Sequence, residues 1–544
     1  MDLVMTARPI ILLFVLAVAG FTSTSLARAG SELQQPNVWS FPRVDEIYFR
    51  EEFGRLTEYD AAWDAWRYVG ELWDSGWNFS LLPNRCTWIF AINCRDVTPE
   101  SSGKFVNYNR TPGFSLYPLN LSEFRRALKI IINSVKEDLI REVYGVEFAF
   151  PLGSIISPTD KYWFNPNVVD TSRSVAEAYR ILIEAGFSNS SGYWMCPNGQ
   201  ELRQIHIIAP DSPTYIDFSI GIVRQLNSFF GKMSDGKSDY FVVDVPGFPH
   251  SAYITYYNRD FDVSFTVCWP GVYPSFLYYD FHTDNDYIGG RNVAGFNNSL
   301  LDDLLWMINF GCDPTTGRLL SLEELRDACF NAQLIIKEET PVIPLFGRTR
   351  IPAFKPKLAG WNFEFDQKWL YTLTHWKDLK VGGRVNWLVE STNNMEEFVL
   401  HPLKPLKRYI QYRYLFDTIF DPLIVFNPYS GGELPWAAID WKRESWSDTD
   451  LNVTDGMKVT FWLRNEMFWH DGVQITAEDV KFCWEYLKCY NAPIFKDVAS
   501  KLVKVETEGD YIVHAYLNST SYALIYDLAD TALLLPKHLW ENVT

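Results

Sequence analysis

Short apolar strand patterns alternate with amphipathic helix patterns along this chain, and this alternation restricts its fold more than any other feature. The stretches "LRQIHIIA" (202–209) and "DVSFTVCW" (262–269) have strand patterns. The stretch "SVAEAYRILIEAGF" (174–187) has a helical pattern that ends at Gly186. Strands that alternate with helices are typical of sheets covered by helices. The sequence therefore predicts α/β lobes.

The same patterns recur elsewhere. Strands are predicted at 44–50, 239–245 and 385–391, and helices at 61–73, 120–145 and 216–230. The stretch 321–346 is predicted to be a helix that stops at Pro341 and is followed by a buried strand. Within the helix 120–145, Arg125 and Arg126 are expected to be solvated or to lie between lobes. Trp194 falls in a turn, and we expect it to be exposed on the surface.

Residues 1–29 have the layout of a secretory signal peptide. An Arg precedes a short apolar run, and an Ala-x-Ala cleavage site ends at Ala29. The alternative is an uncleaved N-terminal anchor. No other stretch reaches the roughly 18–20 apolar residues of a spanning helix. We expect an exported protein, located outside the cell, at its surface or in an equivalent of the periplasm.

Charge and composition limit the partners. The net charge of -18 argues against nucleic acid and anionic membranes. Aromatic residues make up 16% of the chain, and loop rings such as those of "CWPGVYPSFLYYDF" suggest flat faces for a ligand. Asn-x-Ser/Thr sequons suit a glycosylated extracellular surface; they lie at Asn78, Asn109, Asn120, Asn189, Asn297, Asn452, Asn518 and Asn542.

The chain has 8 Cys, and an exported protein can form disulfides. Cys312 and Cys329 flank a predicted loop and form the expected local pair. The Cys spacing matches no zinc site, and His470 has no companion ligand at helical spacing. We therefore expect neither a metal nor a cofactor.

The stretch "FWHDGVQITAEDVKFCWEYL" (468–487) combines a turn with a helix start. Asp471 and Gly472 suit a tight turn, and Thr476 with Asp479 three residues later has a capping-box pattern. Turn and cap chemistry explain these four residues without a ligand. We predict a structural role for this block.

The longer stretch "VTFWLRNEMFWHDGVQITAEDVKFCWEYL" (459–487) resembles the signature of family 5 extracellular solute-binding proteins. These are the oligopeptide, dipeptide and oligosaccharide receptors of ABC importers. Further similar segments are "SEFRRALKIIIN" (122–133), "EAGF" (184–187), "AQLIIKEETPVIPL" (332–345) and "LFDTIFDPLIVFNP" (415–428). Together these segments cover nearly the whole chain after residue 29.

The resemblance implies a two-lobe, periplasmic-binding-protein-like fold of type II, the "Venus flytrap", which closes by hinge motion around a ligand. It also implies a monomer that docks on permease and ATPase subunits formed by other chains. The resemblance assigns ATP hydrolysis to those other subunits, so the chain itself is not expected to power transport.

The order of the matching segments is unusual for the family. It predicts a second, ligand-binding lobe at 30–345, a return or linker region at 346–381, and a first lobe at 382–544. One explanation is a circular permutation; the other is that the sequence is a piece of a longer chain. We favour a permuted order with an incomplete C-terminal end.

Trp269 is the first candidate for ligand contact, because it ends a predicted strand and opens an aromatic loop. The resemblance places a ligand-facing Trp here, followed in peptide-binding members by an acid that pairs with the peptide α-amino group. Val272 occupies the matching position. An oligosaccharide stacked on Trp269 and Tyr273 needs no such charge. The alternative is that Trp269 packs in the core.

Other candidates end predicted strands or helices. Asn93 ends a strand of the second lobe, and Glu390 and Ser391 end the first strand of the other lobe. Tyr490 follows the helix of the 468–487 block. Each could reach a polar ligand.

The sequence thus predicts an importer receptor for oligosaccharides or oligopeptides, with sugar favoured, and no enzyme. A cell-surface glycan-binding or adhesion protein without a transporter is one alternative. An extracellular glycoside hydrolase is another, but it needs two facing carboxylates, and no pair of acids stands out.

Overall fold

The chain folds as two compact units. In a computed structural model of the protein, unit 1 comprises Met1–Leu82, Ile351–Thr520 and Leu524–Thr544, and unit 2 comprises Pro83–Arg350 and Ser521–Ala523. The residues that the structure describes are 3–6, 46–50, 61–62, 72, 76–79, 82–99, 113–145, 148–169, 172–247, 249–270, 273–351, 353–355, 384–388, 421–426, 433–492, 495–529 and 534–542.

Strands and helices alternate through these ranges. The described strands are β1 Leu3–Thr6, β2 Glu46–Arg50, β3 Ala61–Ala62, β4 Asn78–Phe79, β5 Leu82–Ile92, β6 Ala149–Pro151, β7 Ile205–Ile208, β8 Phe241–Asp244, β9 Val263–Cys268, β10 Val342–Arg350, β11 Ala353–Phe354, β12 Arg384–Leu388, β13 Ile424–Phe426, β14 Glu433–Pro435, β15 Ala438–Asp448, β16 Val453–Leu463, β17 Leu502–Glu508 and β18 Ile512–Leu517.

The described α-helices are α1 Ser122–Asn133, α2 Lys136–Val143, α3 Val175–Glu184, α4 Pro213–Phe230, α5 His250–Tyr253, α6 Phe276–Phe281, α7 Ser299–Phe310, α8 Leu322–Glu339, α9 Ala477–Cys489, α10 Lys496–Lys501, α11 Ala523–Ala529 and α12 Lys537–Trp540. A π-helical turn, Ile254–Asn258, directly follows α5. The predicted α/β class is confirmed.

Unit 2 is built on one mixed sheet with the strand order β6-β10-β5-β9-β7-β8. One face carries a row of rings, in which Phe265 meets Phe90 at 5.2 Å and Phe346 at 6.1 Å between ring centroids. Helices α1 to α4 pack their apolar sides on this face. Each fully buried Phe of such a core contributes about 1.5–3 kcal/mol relative to an exposed one.

The helix α8 shows how the sequence sets the element boundaries of unit 2. Ser321 accepts from the backbone N–H of Glu324, and the Glu324 carboxylate accepts from the N–H of Ser321. This reciprocal cap begins the helix. Thr340, with a left-handed φ of 51°, ends it one residue before Pro341.

Unit 1 contains an antiparallel sheet with the order β15-β16-β18-β17. The helix α9 covers one face of it, with Trp484 fully buried and 5.9 Å from the ring of Phe461. The Trp484 indole N–H donates to the backbone oxygen of Leu528, so its polar atom is satisfied as well.

Another sheet of unit 1 joins distant parts of the sequence. Strand β2 pairs in parallel with β12, with Glu46 opposite Arg384 and Arg50 opposite Leu388. The predicted lobe boundaries put these two strands in different lobes. In the structure they are neighbours in one sheet. Strand β1, from the predicted signal peptide, pairs antiparallel with β2. Most of the predicted helix 61–73 lies outside the described residues, and its first two residues form β3.

The predicted helix 120–145 is two helices, α1 and α2. Between them, the Ser134 hydroxyl donates to the backbone oxygen of Ile131 at 2.6 Å, and Val135 leaves the helical region with φ −123° and ψ −12°. A hydroxyl that bonds the preceding turn competes with the helical ladder. The apolar periodicity continues across this break and hides it from sequence reasoning.

The expectation that Arg125 is solvated is wrong. Its side chain is buried, its Nε donates to the oxygens of Glu339 and Thr340, and its Nη1 donates to the oxygen of Leu119. Because the last carbonyls of a helix lack partners within it, a cation at the C-terminus satisfies them. Arg125 thereby fastens the C-terminal end of α8 to α1.

The expectation that Trp194 is exposed is also wrong. Its side chain is fully buried, and its ring stacks on Phe229 with 5.7 Å between centroids. The phenol oxygen of Tyr240 accepts a 2.8 Å hydrogen bond from the backbone N–H of Trp194. The turn folds back onto α4.

Candidate functional site

The predicted ligand residue Trp269 lies at one edge of the unit 2 sheet. Strand β7 is parallel to both β8 and β9, so Ile208, Asp244 and Cys268 end these strands on the same side. We call this side the carboxyl edge. Trp269 follows β9 directly and is 57% exposed. Ligands of α/β domains bind outside the carboxyl ends of parallel strands.

The face of β9 turned away from the aromatic core carries a row of small polar side chains. Ser264, Thr266 and Cys268 alternate along the strand and therefore share this face. Their partners, in the same order, are the Thr255 hydroxyl at 2.7 Å, the Tyr256 hydroxyl at 3.2 Å and the Asp280 carboxylate. The row runs toward the carboxyl edge and ends at Cys268, the residue that precedes Trp269.

An ion pair between Arg291 and Asp280 lies at the Cys268 end of this row. The Arg291 Nε donates to the Asp280 carboxylate at 2.7 Å, and the two side chains are 44% and 12% exposed. Burial raises the pKa of Asp280 to about 6, although the charge and hydrogen bond of Arg291 and the Cys268 thiol oppose this rise. Burial lowers the pKa of Arg291, but the Asp280 carboxylate outweighs it and raises that pKa overall.

Asp280 and Arg291 were missed by the sequence analysis. The family resemblance places an acid a few residues after Trp269, where this chain has Val272. Val272 lies outside the described residues. Asp280 comes instead from α6, and Arg291 from the loop that follows it. The pattern around these two residues gives no sign that they meet at the end of β9.

Asn93 and Trp269 lie at opposite ends of one strand pair. Strands β5 and β9 are antiparallel, with Ile92 opposite Val263 and Thr87 opposite Cys268. At about 3.4 Å per residue, these ends are roughly 17 Å apart along the sheet. The structure therefore does not bring Asn93 into one site with Trp269.

Asn93 has a structural environment. Its side chain is fully buried, and its Nδ2 donates to the backbone oxygens of Arg259 at 3.0 Å and Phe261 at 2.9 Å. Its Oδ1 accepts from Arg95. These bonds hold the chain before β9 against the end of β5, and they occupy both polar atoms of the amide.

Tyr273 is buried too. Its hydroxyl donates to the backbone oxygen of Ile308 at 2.6 Å, and its ring stacks on that of Tyr522 with 5.5 Å between centroids. Its ring edge also meets Trp163. In this packing, Tyr273 offers no open ring face beside Trp269.

The remaining ligand candidates belong to unit 1. Tyr490 is 41% exposed at the end of α9, where its ring lies 4.7 Å from that of Tyr486. Glu390 and Ser391 lie outside the described residues. Their contact with a ligand stays a prediction.

In the 468–487 block, Asp479 is the shared acceptor. Its side chain is buried, and it accepts from the Thr476 backbone N–H at 2.9 Å, the Trp469 indole at 3.3 Å and the Lys537 backbone N–H at 3.0 Å. Gly472 turns the chain with φ 89°, and Asp471 pairs with His538. These contacts join the turn, the start of α9 and the start of α12.

The predicted pair Cys312–Cys329 is not formed. No disulfide joins these two residues in the structure. Cys329 faces the backbone oxygen of Trp163 and the side chain of Gln333 from within α8. Burial raises the pKa of the Cys329 thiol. The sequence shows that a loop separates Cys312 from Cys329. It does not show in which direction the side chain of Cys329 points from α8.

The part of the chain that the structure describes contains no group of three or more His, Cys, Asp or Glu residues placed to hold a metal ion. Across the same residues, none of the helices has the length and apolar character needed to cross a membrane.

Residues 435–542 match the family model described as bacterial extracellular solute-binding proteins, family 5 middle. A curated relative, the uncharacterized protein y4wM of Sinorhizobium fredii (strain NBRC 101917 / NGR234), is 32% identical over 88 residues, which are 16% of this chain and 13% of that protein.

Three solved structures are also similar over part of the chain. The oligopeptide-binding protein AppA of Bacillus subtilis, in complex with a nonapeptide, is 15% identical over 57% of this chain and 54% of its own, with a TM-score of 0.40. NikZ of Campylobacter jejuni, in complex with Ni(L-His), is 16% identical over 58% of each chain, with a TM-score of 0.40. The murein tripeptide binding protein MppA of Escherichia coli is 17% identical over 54% of this chain and 49% of its own, with a TM-score of 0.37.

The chain thus spans about half the length of these solved proteins and 13% of y4wM. The family match contains β15 to β18, α9 and the whole 468–487 block. Through this segment, the chain is similar to the bacterial extracellular solute-binding proteins of family 5.

Proposed function

We propose that this protein is the solute-capturing receptor of an ABC importer and that it binds oligosaccharides at the carboxyl edge of unit 2. The observation that carries this proposal is the exposed indole of Trp269 at the end of β9, in a chain whose residues 435–542 match a family of solute-binding proteins. A flat, rigid ring that is 57% exposed offers a large contact area at low entropic cost.

The charges at the carboxyl edge favour sugar over peptide. Asp280 is held by Arg291, and the Asp244 carboxylate lies 2.8 Å from the Nδ1 of His206. A peptide α-amino group buried here needs a carboxylate of its own, because an unpaired buried charge is costly. An oligopeptide is the second candidate, supported by the similarity of residues 435–542 to family 5 solute-binding proteins.

The proposal includes partners and location. The receptor is exported, acts as a monomer, catalyses no reaction and passes its solute to a permease driven by separate ATPase subunits. Genes for two permeases and two ATPases beside this one support the importer. A gene that stands without them supports a glycan-binding surface protein instead.

Thermal-shift screening of the full chain against oligosaccharide and peptide libraries tests the proposal. A bound solute raises the melting temperature by mass action. We expect oligosaccharides to raise it, and Trp269→Ala to weaken the best hit by about tenfold or more, the effect of losing an aromatic anchor.

Phe468→Ala is the matched control, because Phe468 is also an exposed ring, at 42%, and lies in unit 1. It should leave the affinity unchanged. Stabilisation by peptides alone would reject the sugar. Equal binding by wild type and Trp269→Ala would reject the site.

A further inference from the structure

Arg291 is the cation at the carboxyl edge, and Asp280 fixes its direction. The carboxylate accepts from the Nε of Arg291 at 2.7 Å and also from the Cys268 thiol. Because Cys268 is the last residue of β9, this contact ties the ion pair to the strand that leads into Trp269. A guanidinium held by one N–H loses less freedom when its other N–H groups bind a ligand.

The loop that carries Arg291 is itself fixed. The fully buried Asn292 donates from its Nδ2 to the backbone oxygens of Phe281, His282 and Phe296 at 2.9–3.3 Å. On the other side, a Cβ on Gly290 would lie 2.2 Å from the backbone oxygen of Asn285, so the chain packs here too closely for any side chain. Arg291 is therefore presented by a rigid segment.

The two Nη groups of Arg291 remain open. Across the described residues, the structure shows a hydrogen-bond acceptor only for the Nε, and the side chain is 44% exposed. The ring of Tyr279, 43% exposed, lies 6.0 Å from the guanidinium carbon. This leaves a planar fork of two N–H donors with an aromatic ring beside it.

The charge of the whole protein makes such a fork informative. A net charge of -18 repels anions at a distance, so a receptor of this kind holds an anionic solute only through a local cation. A carboxylate matches the fork with two parallel hydrogen bonds. A doubly charged phosphate suits it less, because Asp280 already neutralises Arg291 and repels a second negative charge.

From this geometry we infer that Arg291 is a carboxylate-reading subsite beside Trp269, and that the captured solute is acidic, such as an oligosaccharide with a uronic acid unit. This inference rests on the proposed function, because it names the class of solute bound at the same edge. Trp269 provides the stacking face, and Arg291 selects the acid.

Matched acid and neutral probes test the inference on the full chain. Trigalacturonic acid is compared with its methyl ester, and trialanine with trialanine amide, by isothermal titration calorimetry. We expect one acid probe to bind about tenfold or more tightly than its neutral partner, the gain from a charge-assisted pair. Arg291→Gln should abolish this preference and leave the neutral partner's affinity as it was.

Arg180→Gln is the control, because Arg180 forms an exposed pair with Glu184 on α3, at 2.7 Å, and should keep the preference. If Arg291→Gln does not fold, Arg291→Lys keeps a charge beside Asp280 but lacks the fork, and it should reduce the preference. An acid preference that is unchanged in either Arg291 variant overturns the inference.

Equal binding of acid and neutral probes overturns the inference and leaves the proposed function standing. Absence of binding by all four probes and by the screened libraries overturns both. The two failures are thus distinguishable by the neutral probes and the library hits.

Discussion

Arg291 holds Asp280 through a 2.7 Å hydrogen bond in which the acid is the buried partner, 12% exposed against 44%. Such a pair is asymmetric. Removal of Arg291 leaves a buried carboxylate without its cation, whereas removal of the charge on Asp280 leaves a cation that water still reaches.

Asp280 should make the protein more stable in mild acid. Its folded pKa of about 6 lies above the ordinary value of 3.8, because burial penalises the charged form. The protonated acid therefore favours the folded state; this contribution is complete below about pH 4 and is lost as the pH rises through about 6. Relative to Asp280→Asn, wild type should lose about 2–3 kcal/mol of unfolding free energy from about pH 4 to pH 7.5.

Urea denaturation at both pH values measures this difference. Asp138→Asn is the control, because Asp138 is 80% exposed and pairs only with Arg141. Parallel pH profiles for wild type and Asp280→Asn would show that Asp280 titrates normally.

Asp479 should be the most sensitive residue of the 468–487 block. It accepts from the backbone N–H groups of Thr476 and Lys537 and from the indole of Trp469, so Asp479→Ala leaves buried donors unsatisfied. We expect a loss of about 3 kcal/mol in the free energy of unfolding.

Asp471→Ala makes the same substitution in the same block, but at an exposed carboxylate paired with His538. Its effect on the urea midpoint should be much smaller. Equal shifts of the urea midpoint in the two variants would contradict the prediction that Asp479 joins the turn to the starts of α9 and α12.

The elements of unit 2 were predictable because each carries its own local signal. The pattern "DVSFTVCW" predicted β9, which is Val263–Cys268, and Ser321 with Glu324 marks the start of α8. Apolar periodicity and cap residues act within a few positions, so a single sequence contains them. The break at Ser134 was missed because a single hydroxyl caused it within a continuous apolar stripe.

The site was only partly predictable. Trp269 was predicted because it ends a strand, and strand ends are visible in the sequence; its contact with a ligand stays a prediction. Asp280 and Arg291 were missed because their meeting depends on how α6 and the next loop pack on β9. Asn93 ends a strand as well, but β5 runs antiparallel to β9, and strand direction is a property of the sheet.

Arg125→Met should destabilise unit 2 strongly. The buried guanidinium serves the oxygens of Leu119, Glu339 and Thr340, and each carbonyl loses a partner when it is removed. We expect a loss of about 3 kcal/mol or more. Arg126→Met is the matched control, because Arg126 is the half-buried next residue of the same helix. Chemical denaturation of both variants measures the contrast, and equal losses would contradict the buried cap.

The cysteines should be reduced in the purified protein. Denatured protein treated with iodoacetamide, without prior reduction, should gain eight adducts by mass spectrometry, because the structure joins none of the eight Cys in a disulfide. In the native state Cys489, which is exposed, should react first, because burial shields Cys329 and raises its pKa. Six adducts on the denatured chain would indicate a disulfide.

Trp269 and Asn93 should separate binding from stability. Trp269→Ala removes an exposed ring without hydrogen-bond or ring partners among the described residues, so the melting temperature should stay within about two degrees while the best library hit binds about tenfold more weakly. Asn93→Ala should do the reverse, because its amide holds the oxygens of Arg259 and Phe261. We expect it to cost about 2–3 kcal/mol of unfolding free energy and to leave the affinity of the folded protein unchanged. Isothermal titration calorimetry measures the affinity of both variants. Weaker binding by Asn93→Ala would place the ligand near Asn93, at the Val263 end of β9.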